Sequence, residues 1–216
     1  MALDAKLIAR LEKALATVDE QGSAGLRLRS DAARLWRRVQ RFLQLDVIAP
    51  GADVDALRLA CYALQLPMRQ SRQIPVGKLG RTNLRDRAEQ AAELLVTLVG
   101  EHVDEALLDR CTRLLHEAPQ KAPMLDEARL LADALNLDDF GVVGLLQQAI
   151  QQARQGDGVV EIAGGLEKRE QYGYWDARLR DGFHFEPVRQ MARRRLDNAR
   201  ATARLLLAEL EEDERK

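Results

Sequence analysis

Apolar residues recur along most of this chain at steps of three and four, the spacing that gathers side chains on one face of an α-helix. Between 103 and 115, Val103, Ala106, Leu107, Cys111, Leu114 and Leu115 fall on a single face. The same spacing predicts helices over Leu3 to Val18, Ala32 to Leu45, Val54 to Leu66, Leu84 to Val99, Leu125 to Leu135 and Val142 to Ala153. A last long helix is expected after Glu186, with Pro187 in its first turn, where the missing N–H costs nothing. Its stripe of Val188, Met191, Ala192, Leu196, Ala199, Ala203, Leu206 and Leu210 runs to an acidic tail. Strand signals are nearly absent. The best, Val159, Val160 and Ile162 between Gly158 and Gly164, reads as a loop or short turn. An all-α protein follows.

Length and charge narrow the class. A chain of 216 residues is long enough to bury about 70% of its unfolded surface around a real core. Cys61 and Cys111 sit inside apolar helical patterns without CxxC spacing, so they read as small buried hydrophobes in a reducing compartment. The first residues alternate Leu and Ile with charges, so no signal peptide is expected, and no apolar run approaches the length of a membrane span. A cytoplasmic protein is the expectation. The net charge of -1 conceals a segregation, with basic residues concentrated in 67 to 87 and 189 to 204 and acids in 209 to 214.

Most candidate chemistry is weak. Asp133, Asp138 and Asp139 could bind Mg2+ or transfer protons, but carboxylates before the helix expected near Gly141 read more simply as a capped turn and need no catalytic explanation. The run Gly77, Lys78, Leu79, Gly80, Arg81, Thr82 lacks both the GxxxxGK[ST] spacing and the preceding strand of a phosphate loop. No Gly-x-Ser-x-Gly elbow is present, and two cysteines in apolar stripes do not make a nucleophile pair.

Helix order and local wording across residues 30 to 150 carry a resemblance. Arg38 and Val39 lie in an early helix, Leu57, Arg58, Leu59 and Ala60 lead to the end of the next, and a later one ends in Leu114, Leu115 and His116. A Leu-Asp-x-x-Gly-like turn follows at Leu137, Asp138, Asp139, Phe140 and Gly141. In this the chain resembles the HD superfamily of metal-dependent phosphohydrolases. The resemblance implies an HD-like orthogonal helical bundle, with 1–165 as core and 166–216 as a C-terminal helical hairpin extension packed on it as one folding unit. It also implies that the four core metal positions fall at Leu35, Leu64, Gln65 and Leu135, and a further His position at Arg87; only His116 keeps a ligand type. No His precedes His102, the three histidines are followed by Val103, Glu117 and Phe185, and no acidic residue lies between Asp55 and Asp86. A divalent ion that activates water needs several charged or imidazole donors, which Leu cannot replace. The chain is therefore expected to be a catalytically inactive HD-like protein with no catalytic residues, metal or cofactor. Its alternative is a phosphohydrolase of that superfamily with a non-standard site.

What the chain offers instead is charge and aromatic surface. Arg69, Arg72, Lys78, Arg81, Arg85 and Arg87 face Asp86 alone, and under the HD-like reading they border the vacated pocket. Such a rim could grip a phosphorylated small molecule, since guanidinium holds phosphate bidentately; equally, it is a solvated loop paired with Glu101, Asp104 and Glu105. A protein partner is the other expected ligand. Arg189, Arg193, Arg194, Arg195, Arg200 and Arg204 could touch nucleic acid, but their helix face is not aromatic and the overall charge is near neutral, so a dedicated nucleic-acid binder is not expected. Five of the nine aromatics, Tyr172, Tyr174, Trp175, Phe183 and Phe185, form a cassette similar to a tail found after the HD core in some bacterial members. Packing two helices around a turn or presenting a partner surface would each explain it.

Overall fold

The structure, a computed structural model, describes residues 5–19, 28–48, 50–68, 84–153 and 155–214. Among them there is no strand, and the all-α expectation holds. No helix among the described residues is long and apolar enough to cross a membrane. The contacts divide the chain into two compact units, residues 1–134 and 135–216.

The first unit is built around a short helix. α1 spans Ala5–Asp19, α2 Leu28–Gln44, α3 Val54–Ala63, α4 Leu84–Val99, α5 Glu105–Glu117 and α6 Asp126–Asn136, the last two residues of α6 already belonging to the second unit, with a 3-10 turn at Gly100–His102. α3 packs against α1, α2, α4 and α5. Its sequence explains why: Ala56, Leu57, Leu59, Ala60, Cys61, Tyr62 and Ala63 are all buried, so it is apolar around most of its circumference rather than along one stripe. Alanines at 56, 60 and 63 let neighbouring helices approach closely, while Leu57 and Leu59 each contribute about 1.5–3 kcal/mol by burial. The half-buried Arg58 lays its guanidinium over the Trp36 ring of α2 at 5.9 Å. Tyr62 donates its hydroxyl to Glu12 of α1 at 3.0 Å.

Amphipathic helices surround this hub. α2 buries Leu28, Ala32, Leu35, Trp36, Val39 and Phe42 at helical spacing, and α4 buries Ala88, Ala91, Ala92, Leu95 and Val99. The link from α5 to α6 is held by Glu117, whose carboxylate accepts from the backbone amides of Met124 and Leu125 at 2.8 Å each and from Arg113 Nε at 2.8 Å. Arg38 of α2 donates to the Ala134 carbonyl at 2.5 Å, reaching the last turn of α6.

The second unit holds a 3-10 turn at Leu137–Asp139, then α7 Val142–Ala153, α8 Val159–Gln171, α9 Tyr174–Asp181 and α10 Glu186–Glu214. Here one expectation fails: Val159, Val160 and Ile162 begin a regular helix instead of forming a loop. Glu161 supplies the reason, since its carboxylate accepts from the Gly158 amide at 2.9 Å and so starts the helix at the very glycine that suggested a break. Ile162, Ala163 and Leu166 then form its buried face. α10 begins where Pro187 predicts, and its stripe is buried through Val188, Met191, Ala192 and Leu196 before becoming half-buried from Ala199 onward.

The aromatic cassette is largely a packing device. Phe140 meets Trp175 and Phe183 edge to face, with ring centroids 5.5 and 5.2 Å apart, and Trp175 in turn meets Tyr174 at 5.1 Å. Arg178 binds Asp139 at 2.6 Å and Asn136 at 3.1 Å while lying over the Phe140 ring, and Asn136 donates to the Gly182 carbonyl at 2.6 Å. Tyr172 alone of the cassette is fully in solvent, at 84% exposure.

Two glycines are required by this geometry. Gly141 has φ +91°, a left-handed conformation that side chains resist, and a Cβ there would also sit 3.0 Å from Arg195 Cβ. A Cβ on Gly144 would lie 2.2 Å from the Asp139 carbonyl oxygen, because α7 is pressed directly onto the preceding 3-10 turn. Gly144→Ala should therefore destabilise by about 1–3 kcal/mol, the usual cost of overpacking. Gly164→Ala, inside α8 with open space around the added methyl, should stabilise by about 0.5–1 kcal/mol. Thermal melts of the two variants, expected to shift in opposite directions, check both.

Candidate functional site

A buried helix creates a local problem at each end, because its first amides and last carbonyls lack partners within the helix. At the start of α3, Asp53 caps by accepting from the Ala56 amide at 2.9 Å. The amide of Asp53 itself donates to Glu127 of α6 at 3.2 Å, and Arg110 of α5 donates to the same carboxylate oxygen at 2.6 Å. At the other end the chain turns through Leu64 and Gln65, and Arg87 of α4 donates its Nε to the Leu64 carbonyl at 2.7 Å. A guanidinium at a helix C-terminus also complements the negative end of the helix dipole.

These contacts locate the residues singled out from sequence. Leu35 and Leu64 are buried, as is Gln65, with 4%, 1% and 8% exposure, and Leu135 is half-buried. Leu64 and Arg87 are brought together directly. His116, expected from the resemblance to keep a ligand type, is exposed in the last turn of α5. It lines a shallow groove with Glu89, Glu93 and Thr112. Among the described residues, no group of three or more His, Cys, Asp or Glu side chains is placed to hold a metal ion.

Of the basic rim, Arg69, Arg72, Lys78 and Arg81 lie outside the described residues. Arg85 is exposed and makes a solvated ion pair with Glu89 at 3.4 Å, and Arg87 is half-buried on the Leu64 carbonyl. Of the suggested carboxylate cluster, Asp133 is fully buried, while Asp139 is held by Arg178. Asp138 and Asp139 complete the 3-10 turn that precedes α7, in keeping with the capped-turn explanation.

The cysteines have no exposed thiol to offer. Cys61 and Cys111 are both fully buried and free. Burial pushes both thiols far up, with Cys111 adding to the effect at Cys61 and Asp53 to that at Cys111. Thiols so held are inert as nucleophiles at neutral pH. What sequence inspection misses is the set of tethers, Glu117, Glu127, Arg110 and Arg178, whose partners lie 4 to 74 positions away in the chain. Residue type alone carries no signal for such pairs.

Compared with known proteins, the chain matches no family model, no curated protein and no solved structure.

The carboxylate tethers make the first unit acid-sensitive in a defined direction. Burial alone would raise the Glu117 carboxyl, but Arg113 and the amides of Leu125 and Met124 outweigh it and hold it below its ordinary value of 4.5. Glu127 is lowered likewise, with Arg110 and the Asp53 amide opposing burial. A carboxyl depressed in the folded state adds stability above its unfolded value, and that stability disappears as pH falls through the folded value. Glu117→Gln should therefore cost stability at pH 7 and flatten the fall in melting temperature between about pH 5 and pH 3. Parallel melts of wild type and variant across that range are the check.

Proposed function

We propose that this chain is a catalytically inactive, HD-like binding or regulatory module of the cytoplasm, with its α3 end serving structure instead of metal chemistry. The observation that carries this reading is the Arg87 to Leu64 hydrogen bond. Under the HD-like resemblance, Leu64 and Gln65 stand where a His-Asp doublet would bind the ion, and Arg87 stands where a second ion would find its His. A fixed cation on the backbone at that point disfavours a divalent ion, and buried leucine offers nothing in exchange for the ion's hydration. Two ligand classes suit such a module. A phosphorylated small molecule matches the basic stretch 67 to 87, of which Arg85 is presented in solvent. A protein partner matches the outer face of α7, where Val143, Leu146 and Ile150 lie at helical spacing and are each about half exposed.

The test has two arms. Thermal shift at low salt with nucleotides, sugar phosphates and sulfate should reveal a stabilising anion, weakened by added salt and by Arg81→Ala or Arg85→Ala. The same protein incubated with Mn2+ and generic phosphate esters should release no phosphate. Turnover that disappears in His116→Ala would favour the phosphohydrolase alternative, and absence of any anion effect would remove the phosphorylated ligand.

A further inference from the structure

Charged residues make up 31% of the chain, yet α7 reads VVGLLQQAIQQA and holds no Asp, Glu, Lys or Arg. Its neighbours α8, α9 and α10 each carry several charges of both signs. Charge is what water-facing positions of a helix usually carry and what the centre of a protein interface lacks. The inner side of α7 is accounted for: Gly144 rests on the 3-10 turn, and the buried Gln148 accepts from Arg169 of α8. On the outer side Val143, Leu146, Gln147, Ile150, Gln151 and Ala153 are all exposed, and helical spacing places them on one continuous arc. Val143, Leu146 and Ile150, at 51%, 54% and 52% exposure, form its middle, with the two glutamines along one edge.

Every group on this arc is complementary to itself. An aliphatic side chain packs against another, and a glutamine amide, holding both donors and an acceptor, can bond a second glutamine amide. A two-fold interface demands such groups, because residues near the axis meet themselves or their close neighbours, and a charge there would face its like. α7 meets that demand at each exposed position, whereas a surface that selects a different protein by charge would need charges that α7 does not have. The helix ends set the direction. Parallel pairing would bring together the turns holding Asp138 and Asp139 of both copies; antiparallel pairing instead sets opposite ends of the helix dipoles side by side. We propose that the outer face of α7 pairs antiparallel with α7 of a second copy of this chain. Val143 then lies opposite the partner's Ile150, and Leu146 and Gln147 of both copies gather at the axis. The proposal rests on the reading of this face as a protein-partner surface and names the partner. Six side chains on one short helix make a patch smaller than the roughly 800 Å2 per partner of a standard interface, so the pairing is weak, with a dissociation constant of about 10–100 μM.

Sedimentation of the full chain from about 1 μM to about 1 mM spans that constant. The average mass is expected to rise from one chain to two. Leu146→Glu and Leu146→Lys should each weaken the pairing by about tenfold or more, and an equal mixture of the two should regain it, since opposite charges then meet at the axis. Gln147→Glu and Gln147→Lys, at a position already in solvent, repeat the comparison where the Leu146 variants melt early. A dimer that none of these variants weakens, or a mixture no heavier than either variant alone, would overturn the proposal. So would a chain that stays monomeric throughout, and a pull-down with the monomer then tells the two readings apart. Another protein retained by the wild type and lost in Leu146→Glu would keep the partner surface while overturning the second copy; nothing retained would overturn both.

Discussion

The first unit depends on satisfying the end groups of a largely buried helix. α3 is buried on nearly every side, so its terminal amides and carbonyls must find partners in side chains delivered by other helices. Asp53 and Glu127 serve one end and Arg87 the other, and Arg110 fixes Glu127 in turn. Each tether ties a different helix to the hub: α6 and α5 at the start, α4 at the finish. A partner lost here would leave a buried polar group unpaired, which costs about 1–3 kcal/mol, a large fraction of the net stability of any domain. The same requirement bears on function. Under the HD-like reading proposed above, the guanidinium of Arg87 would keep that position from a metal ion.

In the second unit the corresponding part is played by Arg178. It joins the 3-10 turn to α9 through Asp139 and Asn136, and its planar group covers Phe140, which is wedged between Trp175 and Phe183. Gly144 allows α7 to rest on that turn at a distance no side chain permits. Beyond Leu196 the packing loosens: α10 presents alanines, and a cavity replaces core. Close packing lies on one side of Trp175 and open volume on the other.

Much of the fold is legible in the apolar spacing. The helices expected over 54–66, 84–99, 103–115, 125–135 and 142–153 appear within a few residues, because their stripes are strong and their ends carry Asp, Pro or Gly signals. α8 was hidden by its composition, since β-branched residues between glycines resemble a turn, and its start depends on Glu161 reaching back to a backbone amide. At the candidate site, the burial of Leu35 and Leu64 follows from their chemistry. The exposure of His116 does not, for it sits one residue past Leu114 and Leu115 in a helix whose last turn rotates it to solvent. Nor could sequence foretell that Arg87 would meet a carbonyl 23 residues earlier, because basic residues in a row read as surface charge.

The central claim is that the end of α3 is held by Arg87 as structure and does not bind a catalytic ion. Calorimetric titration of the full chain, freed of metal by chelation, with Mn2+ and with Zn2+ tests it most directly. No stoichiometric uptake of either ion is predicted at neutral pH. One or two ions bound per chain with micromolar or tighter affinity, and lost in His116→Ala, would contradict it.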